Sequence, residues 1–206
     1  MLSQNRQKFR KISENIGSFF ARSGISPNAF TIFSVFLGAL CFWFLFKNNL
    51  IWAIIFFVLA SISDLIDGAV ARARQKVTKE GAYLDTICDR YVEAMALLGF
   101  LFLPLPEFIV EAKFWILLSL FGSLMTTYAK AAAKEKEVVL TEFKKGLLER
   151  PERIILILLA MLLGGFSCFS GMIYLIVFLA VFSNLTAMQR IFLVFKKKTI
   201  PEKTKE

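Results

Sequence analysis

Asp64, Asp67, Asp85 and Asp89 fall within 26 residues of one another in a chain that otherwise reads as membrane. A carboxylate in hydrocarbon costs about 2.5–3.5 kcal/mol by insertion scales unless a charge pairs with it. Four of them call for a strong positive partner, and a divalent metal ion is one. Asp64 and Asp67 are i, i+3 on one helix face, and Asp85 and Asp89 are i, i+4 on another. Two helices docked side by side would converge all four donors on one point. Hard oxygen donors of this kind suit Mg²⁺, Mn²⁺ or Ca²⁺ rather than zinc or copper. Gly68 and Ala71 follow the first pair and Gly81 precedes the second by one turn, so backbone can approach a bulky ligand closely. Arg72, a permanent cation one turn beyond Asp67 and Gly68, suits phosphate oxygens. Metal, glycine and arginine together form a set that handles a pyrophosphate. The plainer reading is a structural ion-pair cluster with Arg72, Arg74 and Arg90, which leaves the glycines unexplained.

The elements that must position these residues are membrane helices. A 57% hydrophobic composition with 23 Phe among 206 residues exceeds what a soluble domain hides in its core. Spans are expected at about 28–47, 50–73, 81–103, 108–134, 148–167 and 171–195, since about 20 residues cross ~30 Å of hydrocarbon. Residues 3–22 carry Phe9, Ile12, Ile16, Phe19 and Phe20 at helical spacing, with Arg6, Lys8, Arg10 and Lys11 elsewhere. That pattern predicts a basic amphipathic helix on the membrane surface. Pro27 sits where the first span would start, and Asn48-Asn49 and Pro104-Leu105-Pro106 mark tight connections. The expected fold is therefore an all-α membrane protein, one domain over 1–206, with six transmembrane helices and an N-terminal interfacial helix. The polar N-terminus predicts no cleavable signal peptide. Cys41, Cys88 and Cys168 lie in or at the ends of apolar segments without CxxC spacing and read as packing residues. Histidine is absent, which excludes histidine-based zinc sites and histidine general bases.

Positive charge gathers in the N-terminal helix, the 72–80 loop, the 134–150 loop and Lys196-Lys197-Lys198, whereas the alternate loops hold only Lys47 and Lys113. By the positive-inside rule both termini and the basic loops face the cytoplasm of a multi-pass cell-membrane protein. The net charge of +9 then reflects topology and attraction to membrane lipids, not nucleic acid, because no basic soluble domain carries it. Asp64, Asp67, Asp85 and Asp89 fall at the cytoplasmic ends of the second and third spans. A site there can meet a lipid from the side and a water-soluble molecule from below.

Asp64-x2-Asp67-Gly68-x2-Ala71-Arg72-x8-Gly81-x3-Asp85-x3-Asp89 resembles, at every specified position, the motif of the CDP-alcohol phosphotransferases. The resemblance covers essentially the whole chain. It implies transfer of a phosphoryl-linked group from a CDP-alcohol to a second alcohol with release of CMP, and a homodimer. It also implies that Asp64, Asp67 and Asp85 hold two Mg²⁺ or Mn²⁺ ions, with Asp89 a further ligand and the general base. Physically the division is sensible: two metals about 4 Å apart grip a diphosphate, and a fourth carboxylate on the rim takes the proton of the incoming hydroxyl. Asn28, Ala29, Phe30 and Thr31 resemble the family's first-span nucleotide contact. Asp64, Gly68, Ala71, Arg72 and Thr78 likewise match positions that bind the CDP-lipid.

Lys130, Arg150, Arg153 and Arg190 place cations near the cytoplasmic ends of three later spans. Snorkelling to lipid phosphates is one reading; a pocket for an acceptor that itself carries phosphate is the sharper one. Thr127-Tyr128-Ala129-Lys130, Glu149-Arg150-Pro151-Glu152-Arg153 and Gln189-Arg190 resemble the phosphatidylinositol-phosphate synthases of actinobacteria and their archaeal relatives. The resemblance implies that Lys130, Arg153 and Arg190, with Arg150, bind the phosphate of inositol phosphate. It implies CDP-diacylglycerol or CDP-archaeol as donor. Ala132 departs from the arginine of the actinobacterial members, where another cation such as Lys134 would substitute. The alternatives are the same chemistry with glycerol 3-phosphate as acceptor or CDP-inositol as donor. A divalent-cation transporter is a different class, but it would spread its acids over the bilayer midplane and leave Gly68, Ala71 and Arg72 idle.

Overall fold

The computed structural model of the chain describes residue 20 and residues 25–74, 78–138 and 146–198. The interfacial helix expected over 3–22 lies almost wholly outside the described residues, as do parts of the two basic loops. The described residues form six α-helices and one 3₁₀ turn: α1 (Pro27–Phe46), α2 (Leu50–Ala73), α3 (Lys79–Gly99), the turn Phe100–Phe102, α4 (Ala112–Glu135), α5 (Arg150–Gly165) and α6 (Phe169–Lys198). They fall into two compact units that divide after Gly99.

Four of these helices, α1, α2, α4 and α6, are long and apolar enough to cross a membrane. Six were expected. The two that fall short do so for physical reasons. A span of α5's 16 residues is only about 24 Å long, short of the ~30 Å hydrocarbon core. α3 carries Lys79, Glu80, Asp85, Asp89, Arg90 and Glu93 within its 21 residues. Large apolar side chains such as Phe33, Phe36, Leu65, Phe121 and Phe192 stand more than half exposed on the four apolar helices. Surface of that kind belongs against hydrocarbon rather than water.

In the first unit α1 is the central element. It packs along both α2 and α3, which make little contact with each other. Pro27 occupies the first turn of α1, where its missing N–H costs nothing, and Ser26 precedes it in extended conformation. Asn48 takes a left-handed φ of 54° and Asn49 accepts a hydrogen bond from Trp52 N–H, so three residues suffice to reverse the chain into α2. Gly38 lets α1 approach α3: a Cβ there would stand 3.3 Å from the Val92 Cα. Ser63 on α2 donates to the Phe30 carbonyl of α1 at 2.9 Å, and Arg74 Nη1 reaches the Ile25 carbonyl at 2.8 Å. The mouth of the unit, where α1 begins and α2 ends, is thus tied by polar bonds.

The second unit is organised on α6, which packs against α4 and α5. α4 starts at Ala112 rather than near residue 108, because Ile109 adopts a left-handed φ of 64° and Phe108 pairs with Val110 instead. Ser119 Oγ donates to the Trp115 carbonyl and to the Ile176 carbonyl of α6, at 2.8 and 3.1 Å. Seven residues on, Thr126 Oγ1 makes the same pair of bonds to Gly122 and Ser183, at 2.7 and 3.1 Å. Asn184 Nδ2 returns a bond from α6 to the Leu118 carbonyl at 2.9 Å. With no hydrophobic gain between helices in lipid, small residues and such hydrogen bonds set the packing. Gly122 lies directly under Asn184, with a Cβ at that position only 2.8 Å from the Asn184 backbone nitrogen. Gly122→Ala should therefore lower stability by about 1–3 kcal/mol through overpacking, measured by thermal unfolding in detergent.

Candidate active site

Two turns of α2 and two of α3 bring the motif together at the start of α1. Asp64 and Asp67 project from α2 and Asp85 from α3, and one oxygen from each lies within 4.8 Å of the others. α2 and α3 achieve this by both leaning on α1, not by docking on each other as expected. The bridge is Thr31 of α1, whose hydroxyl donates to Asp67 Oδ2 at 2.5 Å. Thr31 and Asp67 are both buried, at 4% and 5% exposure, so that bond is sheltered from water.

Three carboxylate oxygens this close suit one small hard cation, since opposite ligands of Mg²⁺ or Ca²⁺ stand about 4–5 Å apart. They repel one another without a positive charge between them. The donor set therefore fits a divalent metal ion. Thr31, by holding Asp67, acts on a ligand from outside the set. Thr31→Val should weaken metal affinity by about 10–100-fold, as loss of outer partners does, read by Mn²⁺ titration.

Asp89 stands differently from the expectation. Its oxygens are outside the group of three, and the side chain is buried at 8% exposure rather than placed on a rim. One helical turn along α3 from Asp85 carries it away from the mouth and toward the buried face, where Cys88, Val92 and Glu93 also lie. Glu93, a further turn on, is closed in completely and pairs with Arg90 Nη1 at 2.8 Å.

Beside the acids a cleft of about 450 Å³ opens, lined by Pro27, Asn28 and Thr31 of α1, by Asp67, Gly68, Ala71 and Arg72 of α2, and by Thr78, Gly81, Ala82 and Asp85. Asn28, Thr31, Gly68, Ala71, Arg72 and Thr78 were all expected to meet a nucleotide. Asp64, expected to meet the CDP-lipid, is not among the lining residues, and neither are Ala29 and Phe30. The latter two follow Asn28 by about 100° and 200° around the helix, which turns them from the cleft, whereas Thr31 comes back to it. The glycines acquire reasons. A Cβ on Gly68 would stand 3.2 Å from Arg72 Nη1, so the glycine makes room for the guanidinium. Gly81 N–H donates to Thr78 Oγ1 at 3.0 Å, and a Cβ there would press that hydroxyl and the Asn28 side chain, at 3.0 and 3.4 Å. Pro27 and Ala82 were not anticipated; neither carries a polar side chain to single it out.

In the second unit Arg153 and Arg190 are buried, at 1% and 7% exposure, Arg150 is half-buried and Lys130 is exposed. Arg190 Nη1 donates to the Thr126 carbonyl at 2.6 Å, and Nη2 to both oxygens of Glu149, at 3.1 and 2.9 Å. Lys130 follows Thr126 by one turn of α4, so α4 and α6 carry cations at the same end of their pair. Glu149 had drawn no attention in the sequence except as part of the Glu-Arg-Pro-Glu-Arg string.

The profile of the family described as CDP-alcohol phosphatidyltransferase matches residues 24–195. The archaetidylinositol phosphate synthase of Pyrococcus horikoshii is 34% identical over 192 residues, covering 93% of this chain and 95% of the relative. The crystal structure of Mycobacterium tuberculosis phosphatidylinositol phosphate synthase with CDP-DAG bound superposes with a TM-score of 0.77 at 25% identity, over 95% of this chain and 98% of that one. The same enzyme in complex with manganese and citrate gives 0.77 at 26% identity, over 94% and 92%. With the motif filled at every position and the profile spanning nearly all of the described helices, the chain belongs to the CDP-alcohol phosphatidyltransferase family.

Proposed function

We propose that the protein is an integral-membrane transferase that moves a phosphatidyl-type group from a CDP-lipid to a hydroxyl of inositol phosphate and releases CMP. The donor is CDP-diacylglycerol or CDP-archaeol. The observation that carries this reading is the cleft that Asp67, Asp85, Arg72 and the small residues Gly68, Ala71 and Gly81 line, with Asp64 clustered against the two acids. The relative from Pyrococcus and the solved mycobacterial enzyme, named for inositol phospholipids, support the choice of acceptor.

Asp64, Asp67 and Asp85 hold the divalent metal, and Asp89, one turn beyond Asp85 on α3, is the further ligand and the general base. Held by these carboxylates, two Mg²⁺ or Mn²⁺ ions per site would supply the positive charge that neutralises a diphosphate and stabilises a leaving CMP. Asn28, Thr31 and Thr78 hold the nucleotide, and Arg72 faces its phosphate oxygens with a planar set of donors. The inositol hydroxyl loses its proton to Asp89 and its oxygen bonds to the lipid-bearing phosphorus. The bond from that phosphorus to the CMP oxygen breaks in the same displacement. Lys130, Arg150, Arg153 and Arg190 orient the acceptor through its phosphate. Two buried arginines support this role better than snorkelling, which needs the cation at the lipid surface.

The remaining architecture follows as part of the same reading. One domain over 1–206 carries the donor machinery in its first unit and the acceptor cations in its second. α3 and α5 cross the membrane with the four apolar helices, and the termini and active site face the cytoplasm. The chain works as a homodimer. Purified protein supplied with CDP-diacylglycerol and either inositol phosphate, glycerol 3-phosphate or free inositol should release CMP fastest with inositol phosphate. Absence of turnover with inositol phosphate would sink the assignment, and turnover with glycerol 3-phosphate alone would replace it.

A further inference from the structure

Residues 146–149 lie as a strap along the last turns of α6. Leu147 N–H donates to Gln189 Oε1 at 3.2 Å, and Leu148 N–H to Thr186 Oγ1 at 3.0 Å. At the end of the strap Glu149 gathers three groups. Its carboxylate accepts from Gly146 N–H at 2.5 Å and from Arg190 Nη2 through both oxygens, and its own N–H donates to Glu152 Oε2 at 2.7 Å, closing the first turn of α5. Glu149 thereby fixes the approach of α5, and with it Arg153 one turn on, while gripping a cation of α6.

The guanidinium of Arg190 is held from two sides. Thr126 of α4 takes Nη1 and Glu149 takes Nη2, while Nε is buried and has no hydrogen-bond partner among the described residues. A flexible arginine loses little by pairing with water, but this one is 7% exposed and cannot. A buried donor left unmet is a group that an incoming anion would satisfy. We propose that Glu149 is the positioning residue for Arg190, committing Nη2 so that the remaining donors stay aimed at a phosphate oxygen of the acceptor. The proposal rests on the reading of Arg190 as an acceptor-phosphate ligand. Glu149 touches neither substrate nor metal in this account; it acts through the arginine. It also makes the selectivity for a phosphorylated acceptor a joint property of α4, α5 and α6 rather than of single cations.

The test is steady-state kinetics of the full-length protein in liposomes, with CDP-diacylglycerol and inositol phosphate varied separately. Glu149→Gln keeps the shape and drops the charge. It should raise the KM for inositol phosphate about tenfold or more while leaving the KM for CDP-diacylglycerol within about twofold. Glu149→Asp, with the charge on a shorter arm, should fall between the two proteins and serves as the second variant if glutamine prevents folding. In an Arg190→Lys background Glu149→Gln should add little, since the two side chains act as one unit. A full additional loss in that background, or an equal rise in both KM values, would make Glu149 merely structural and overturn the proposal. If Arg190→Lys raises the acceptor KM and Glu149→Gln does not, the proposal is wrong and the acceptor reading stands. If Arg190→Lys leaves the acceptor KM unchanged, the acceptor reading itself fails and takes the proposal with it.

Discussion

Asp89→Asn is expected to keep CDP-lipid binding and to lower turnover by on the order of 10²–10⁴-fold, the usual contribution of a positioned base. The substitution conserves volume and removes only charge and basicity. Asp89 is 8% exposed, so the mutant amide replaces a carboxylate in a sheltered place and finds no bulk water to stand in for it. The measurements are CMP release and equilibrium binding of CDP-diacylglycerol. Mn²⁺ affinity separates the two roles proposed for Asp89. A base acting alone leaves it unchanged, whereas a ligand lowers it in step with activity. An unimpaired turnover number would remove Asp89 from the mechanism altogether.

The second large effect belongs to Asp85. It is the one carboxylate that α3 contributes to the cluster of three, whereas Asp64 and Asp67 share α2. Asp85→Asn should reduce metal affinity more than about 100-fold, since even outer partners of a metal ligand are worth 10–100-fold. Turnover should fall with it and recover in part at high Mn²⁺. Because the change also relieves repulsion among three neighbouring carboxylates, the apo protein should melt at a higher temperature than the parent. Higher apo stability combined with lost activity is a signature that general unfolding cannot imitate. A drop in melting temperature without loss of metal binding would take Asp85 out of the centre.

Much of this was legible in the residues because helical spacing is a rigid ruler. The i, i+3 pair of Asp64 and Asp67 and the position of Asp85 after Gly81 determine which oxygens can meet once the helices are side by side. The bounds of α2 came out at Leu50–Ala73, as expected, since Asn49 and the basic loop close it chemically at both ends. What stayed hidden was tertiary. Nothing local in the sequence says that α2 and α3 meet by way of α1, or that Thr31 holds Asp67 across 36 residues. The motif predicts a rim position for Asp89, but burial depends on what packs against that face of α3. The pairing of Glu149 with Arg190 spans 41 residues and joins a strap to a helix end, so neither periodicity nor composition announces it. Asn28 to Thr31 form a contiguous string in the sequence, but at about 100° per residue a helix returns only Asn28 and Thr31 to the cleft.

The seven-residue ladder between α4 and α6 has a consequence for the lipid around it. Ser119 and Thr126 each bond a carbonyl two turns apart on the partner helix, so sliding by even one rise would break both rungs together. Helices that meet a bilayer thinner or thicker than their apolar length normally adjust by tilting independently. This pair must instead tilt as one body. Membranes of different acyl length then shift the pair without altering the spacing between Lys130 on the one helix and Arg190 on the other.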